Sequence, residues 1–199
     1  MEREIALQVG GAVAGIDEVG RGPLAGPVVA AAVVLPESPR IEGLADSKVL
    51  TEATRERLCA EILACATVGI GWARTREIDR INILQATHRA MRRAVARLEN
   101  APAHLLVDGH PVPGLPLEHT AVVKGDAKCA CISAASIVAK VVRDRFMAAV
   151  DRRFPAYGFA SNRGYASEEH RLALAERGPC PLHRRSFSPV ALTAQGTLF

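Results

Sequence analysis

Residues 12–35 read AVAGIDEVGRGPLAGPVVAAAVVL. The run Ala12–Ile16 and the longer run Val28–Leu35 have the length and content of buried strands, and the Gly- and Pro-rich segment Gly20–Pro27 joins them as a shaped loop. Two carboxylates, Asp17 and Glu18, stand where the first run ends. The loop is not a dinucleotide fingerprint. Its last glycine is wrongly spaced, Pro23 lacks an amide donor, and the segment leads into a strand instead of a helix. No GxxxxGK[ST] loop for a nucleoside triphosphate occurs either. What remains is a loop whose glycines let the backbone approach a ligand, with Arg21 between them.

Working outward, Thr51–Cys65 places Leu58, Ile62 and Cys65 on one face and predicts a helix capped by Thr51. Val68–Trp72 reads as a strand. Ile83–Leu98 repeats Ile83, Ala86, Ala90, Ala94 and Leu98 at helical spacing opposite Arg89, Arg92, Arg93 and Arg97. Strands are expected at His104–Val107 and Leu117–Val123. A long helix is expected from Cys131 to Phe154, stopped by Pro155, with a polar loop Ala156–Ala166 and a short helix capped near Ser167. The pattern is one mixed α/β domain over residues 1–199, with strands clustered early and helices dominating later.

The chain has 199 residues, 49% of them hydrophobic and 23% charged, ordinary globular values that argue against a disordered or fibrous protein. No apolar run approaches the roughly 18 residues of a membrane span. The N-terminal Met1, Glu2, Arg3, Glu4 lacks a secretory pattern, so a cytoplasmic protein is expected, with its five cysteines reduced. Their odd number and the absence of a CxxC pair argue against a zinc site or disulfide framework. Residues 128–185 carry 11 basic and 5 acidic side chains, whereas residues 1–127 carry 14 and 16. The later half is the expected polyanion face. The last 14 residues, Ser186–Phe199, carry no charge and are expected to pack on the domain.

Asp108 repeats the placement of Asp17 and Glu18, ending an apolar strand just before Gly109. Asp126 follows the next strand and precedes the long helix. Singly, each carboxylate could be a turn residue, cap or surface charge. Jointly, three strand ends present oxygen ligands, which suit Mg²⁺ or Mn²⁺ better than zinc. Four carboxylates could hold two ions for an in-line phosphodiester displacement.

With these residues in view, the sequence resembles the ribonuclease HII family, the type 2 ribonucleases H. The resemblance rests on Gly15–Pro27, on Asp46, Ser47 and Lys48, on Ile78–Ala86, and on Val107, Asp108 and Gly109. It continues through Lys124–Lys128, Ala134–Lys140, Gly164 with Tyr165, and His183–Phe187. It implies a ribonuclease H-like mixed central sheet flanked by helices, with a helical C-terminal part over roughly residues 156–199 that helps bind substrate, and cleavage of the RNA strand of RNA/DNA hybrids and at single ribonucleotides in duplex DNA, leaving 5′-phosphate and 3′-hydroxyl ends. Carried over by position, Asp17, Glu18, Asp108 and Asp126 are the catalytic, metal-binding carboxylates for Mn²⁺ or Mg²⁺. Gly20, Arg21 and Gly22 contact the 2′-hydroxyl and backbone, Lys48 a phosphate, and Tyr165 stacks beside the RNA–DNA junction. A monomer is expected.

Arg143, Arg145, Arg184 and Arg185 are further candidates for backbone contacts. The chain departs from the family pattern at Cys129 and Cys131, where serines are common, and at Arg163, where lysine is frequent. A competing reading is a non-catalytic nucleic-acid-binding module built on the basic half; it predicts salt-sensitive binding without turnover.

Overall fold

The computed structural model describes residues 1–38 and 41–194. Five strands form one sheet: β1 (Val13–Val19), β2 (Val28–Val34), β3 (Thr67–Ala73), β4 (His104–Asp108) and β5 (His119–Val122). Their spatial order is β3-β2-β1-β4-β5. The first three are antiparallel neighbours, while β1–β4 and β4–β5 are parallel. The helices are α1 (Glu2–Val9), α2 (Glu52–Cys65), α3 (Thr75–Val95), α4 (Ala130–Asp151), α5 (Phe159–Asn162), α6 (Glu168–Arg177) and α7 (Ser188–Ala194).

The run Val28–Val34 is apolar without alternation because both faces of β2 are covered. Val28, Ala30 and Ala32 meet Ala86, Ala90 and Ala94 of α3, whereas Val29, Ala31 and Val33 meet Leu58 and Ile62 of α2 and Ala134, Ala135 and Val138 of α4. At the sheet centre α4 lies directly on β1. A Cβ at Gly15 would stand 2.2 Å from the Cys131 carbonyl carbon, so only glycine admits this approach. Thr51 and Ser167 cap α2 and α6 as their sequences predict, accepting from the backbone N–H of Thr54 and His170.

Several features depart from the sequence reading. Strand β1 runs on through Asp17 and Glu18, which pair with Ala31 and Ala30, so both lie within the strand instead of after it. Helix α1, with no buried residue, is an addition. Helix α3 begins at Thr75, eight residues before the predicted start, and is broken at Asn82, whose φ of 64° and ψ of 167° are ordinarily reserved for glycine. There the Asn82 side-chain oxygen caps the second half by accepting from the Gln85 N–H at 3.1 Å. A polar segment with a mid-helix break carries too little 3.6-residue periodicity to show the helix before it. Of the uncharged tail, Val190 is fully buried against Leu24, Leu174 and Phe187, and residues 195–199 lie outside the described residues.

Candidate active site

The carboxylates gather where β1 and β4 end side by side. The parallel register pairs Ile16 with Val107, so the next residues along, Asp17 and Asp108, are neighbours across the ladder. Asp17 is buried and turns toward α4, within reach of the Ser136 hydroxyl, which is itself 2.9 Å from the Ser47 hydroxyl. Glu18 leans the other way, and Arg21 donates to its Oε1 at 3.3 Å. Asp108 accepts from the Gly125 N–H at 2.6 Å, which anchors the turn carrying Asp126. Lys48 Nζ lies 3.6 Å from Asp126 Oδ2 and 3.8 Å from Asp46 Oδ1.

Burial pushes the Asp17 carboxyl well above its ordinary range, and the neighbouring Glu18 and Asp108 add to the shift against the hydroxyl of Ser136. Burial likewise raises Glu18, although Arg21 opposes it. Desolvated carboxylates facing one another favour protonation until a cation offsets their charge. Asp126 makes no helix-capping bond. It sits in the single 3₁₀ turn Gly125–Ala127, and α4 starts later, behind Cys129.

These residues fit a hard divalent cation through an all-oxygen donor set. Among the described residues no three His, Cys, Asp or Glu side chains already form a closed cage.

The loop Gly20–Pro27 borders this cluster. Arg21 and Gly22 are exposed, and a Cβ on Gly22 would meet the Tyr165 ring edge at 3.9 Å, so these two predicted contact points adjoin. Tyr165 is 44% exposed and its ring is no part of the core. Of the predicted site residues, Asp17, Glu18, Asp108, Asp126 and Lys48 come together around the two strand ends, Arg21, Gly22 and Tyr165 form the adjoining rim, and Gly20 is buried behind it against Arg143.

The arginine candidates are redistributed. Arg143 and Arg184 are completely buried and reach no surface. Arg145 pairs with Glu56, and Arg163 with Glu52 at 3.2 Å. The arginines of α3 are also engaged: Arg89 and Arg93 hold Glu77, and Arg92 donates to the Pro113 carbonyl. Cys129 and Cys131 are buried, and all five cysteines are free. The sequence reading gave Ser47 and Ser136 no role in the site, and misread Arg143 and Arg184 as surface contacts. The spacing Ala135, Ala139, Arg143, Met147 puts Arg143 on the buried stripe of α4 and is the signal that could have shown it.

The chain and its fold are similar to those of known proteins. The ribonuclease H2 crystal structure from Pyrococcus horikoshii superposes with a TM-score of 0.79 at 29% identity, covering 94% of this chain and 98% of that one. Ribonuclease HII of Maricaulis maris is 58% identical over 179 residues, or 89% of this chain and 82% of its own. The Geobacillus kaustophilus ribonuclease HII is 54% identical over 190 residues, or 95% and 73%. Fold and site thus define a metal-dependent ribonuclease. The family model for ribonuclease HII matches residues 14–190, and the chain belongs to that family. No helix among the described residues is long and apolar enough to cross a membrane.

Proposed function

We propose that the protein hydrolyses the RNA strand of RNA/DNA hybrids and incises duplex DNA at single ribonucleotides, leaving 5′-phosphate and 3′-hydroxyl ends. The observation that carries this is the meeting of Asp17, Glu18 and Asp108 at two adjacent strand ends beside a glycine loop in which Arg21 and Gly22 are exposed. Asp17, Glu18, Asp108 and Asp126 would hold divalent cations, Mg²⁺ or Mn²⁺ and two per site. When bound, these supply Lewis-acid activation of water and neutralise charge at the scissile phosphate.

The remaining chemistry belongs to the chain itself. Lys48, exposed at its tip and flanked by Asp46 and Asp126, offers a point charge to a phosphate oxygen next to the carboxylates. The Gly20–Gly22 backbone reads the 2′-hydroxyl, the group that distinguishes RNA from DNA at one nucleotide. Tyr165, adjoining Gly22, stacks on the sugar or base at the junction. Arg21, tied to Glu18, links the reading loop to the carboxylates.

The test is cleavage of a labelled DNA duplex containing one ribonucleotide, beside a long RNA/DNA hybrid, with Mg²⁺, Mn²⁺ or chelator. Metal-dependent incision 5′ to the lone ribonucleotide supports the reading. Cleavage of the hybrid alone would remove the role given to the loop, and salt-sensitive binding without turnover under every metal would favour the binding module.

A further inference from the structure

Among the described residues, Arg143 and Arg184 are the two largest side chains with no solvent exposure. Among the described residues neither lies within ion-pair distance of a carboxylate; all their hydrogen bonds go to main-chain carbonyls. Arg184 donates to the carbonyls of Gly20, of Arg21 at 2.8 Å, and of Gly26 at 2.9 and 3.0 Å. Arg143 donates to Pro27 at 3.0 Å, Ala25 at 3.1 Å and Arg163 at 2.9 Å. Two desolvated cations would be costly if they merely filled space. Both stay charged at neutral pH, although burial lowers each and brings Arg184 to about 9.

The consequence lies in peptide geometry. In a trans peptide the carbonyl of one residue and the N–H of the next point in opposite directions. Drawing the Gly20 carbonyl inward therefore turns the Arg21 N–H outward, and drawing the Arg21 carbonyl inward does the same for the Gly22 N–H. Neither amide has an acceptor among the described residues. At Gly20, φ is +90° and a Cβ would fall 2.2 Å from Arg143 Nε, so glycine and the two guanidiniums fit as one unit.

The same C-terminal segment reaches Tyr165. The Cys180 N–H donates to His183 Nδ1 at 3.0 Å, and His183 Nε2 lies 3.0 Å from His170 Nε2. His170 Nδ1 lies 2.7 Å from the Tyr165 carbonyl, so it must donate there, which makes His183 the donor between the rings. Leu24 N–H and Ala25 N–H donate to the Gly164 carbonyl, Gly26 N–H to Leu182, and Arg184 N–H to Leu24.

We propose that Arg184 is the positioning residue for ribonucleotide recognition, holding the Arg21 and Gly22 amides outward as a preformed pair of donors, with Arg143 anchoring the far end of the loop. This rests on the reading that the loop contacts the 2′-hydroxyl. Arg184 touches no substrate; it acts through the two peptide groups it orients.

The test measures, in chelator and without turnover, the affinity of the full chain for a DNA duplex with one ribonucleotide and for the same duplex without it. Arg184→Lys keeps the charge and loses the fork. It should lower the ratio of the two affinities at least tenfold while the all-DNA affinity stays within about twofold. Equal weakening on both duplexes, or an unchanged ratio in a folded Arg184→Lys protein, overturns the proposal. A wild-type ratio of one defeats the loop reading and the proposal together, a result visible before any variant is made. Should the variant not fold, amide relaxation of the wild-type protein decides. A rigid free loop with the Arg21 and Gly22 resonances moving on addition of the ribonucleotide duplex upholds the proposal, and a loop disordered until binding overturns it.

Discussion

Lys48 Nζ stands 3.6 Å from Asp126 Oδ2, bringing a residue that precedes α2 against one that precedes α4. The lysine side chain is 77% exposed and the aspartate side chain 8%, so the pair joins a solvent-reaching cation to a buried carboxylate at the rim of the site. Lys48→Ala should leave thermal stability nearly unchanged, because an exposed ion pair contributes about 0–1 kcal/mol. It should lower kcat/KM by roughly 10- to 150-fold, the loss expected from a charged contact of about 1.5–3 kcal/mol. Steady-state kinetics with a parallel melt separates the two effects.

Asp17→Asn and Asp108→Asn are expected to remove nearly all cleavage, a fall of at least about a hundredfold on the scale of a lost transition-state charge interaction. Near-normal turnover in either would dismiss the carboxylate assignment. For Asp17 the opposite effect is expected on the fold. Burial and Glu18 raise its carboxyl pKa, so the ionised form strains the metal-free protein at neutral pH, and asparagine relieves that strain. The melting temperature of Asp17→Asn in chelator should rise, by about 2–4 °C per kcal/mol relieved. Added Mg²⁺ should raise the wild-type melt more than the variant's.

The buried pair His170 and His183 makes stability depend on pH. Burial pulls His183 down to about 4, helped by His170, and burial also lowers His170. Both imidazoles are therefore neutral in the folded protein while the unfolded chain takes up protons below its ordinary histidine value of about 6.5. The unfolded state then binds more protons between about pH 6.5 and 4, and stability falls as pH drops through that window. The contribution of His183 is on the order of 3 kcal/mol. Denaturant midpoints at pH 7 and pH 5 should show the drop, and His183→Gln should flatten it.

Gly15→Ala probes the contact that seats α4 on the strand carrying Asp17. Its Cβ would meet backbone atoms of Cys131 and Ile132 at 2.2 to 2.5 Å, which no side-chain rotation relieves. Overpacking against main chain should cost about 3 kcal/mol or more and shift the site with it. A variant with wild-type stability would show that α4 can slide freely on β1.

Much of the molecule is legible along the chain because its signals are local. Apolar runs of strand length located the five strands, and Thr51 and Ser167 marked their helices through hydroxyls that reach only three residues ahead. Asp17, Glu18, Asp108 and Asp126 were legible because each borders an apolar run, and the short spacing of Gly20 and Gly22 marked a loop shaped for close approach. Tertiary structure alone decided what the arginines do. In sequence Arg184 resembles any other cation of a basic half and only the helical spacing of α4 sets Arg143 apart; the packing of α4 and the C-terminal segment around Gly20–Pro27 buries both among that loop's carbonyls, 116 to 164 positions away. Likewise Ser47 and Ser136, 89 positions apart, become partners only when α4 crosses the sheet. The reason is physical. Strand, cap and turn preferences are set by neighbours within a few bonds, whereas a buried polar group takes whatever partner the fold brings, and that partner is not written beside it.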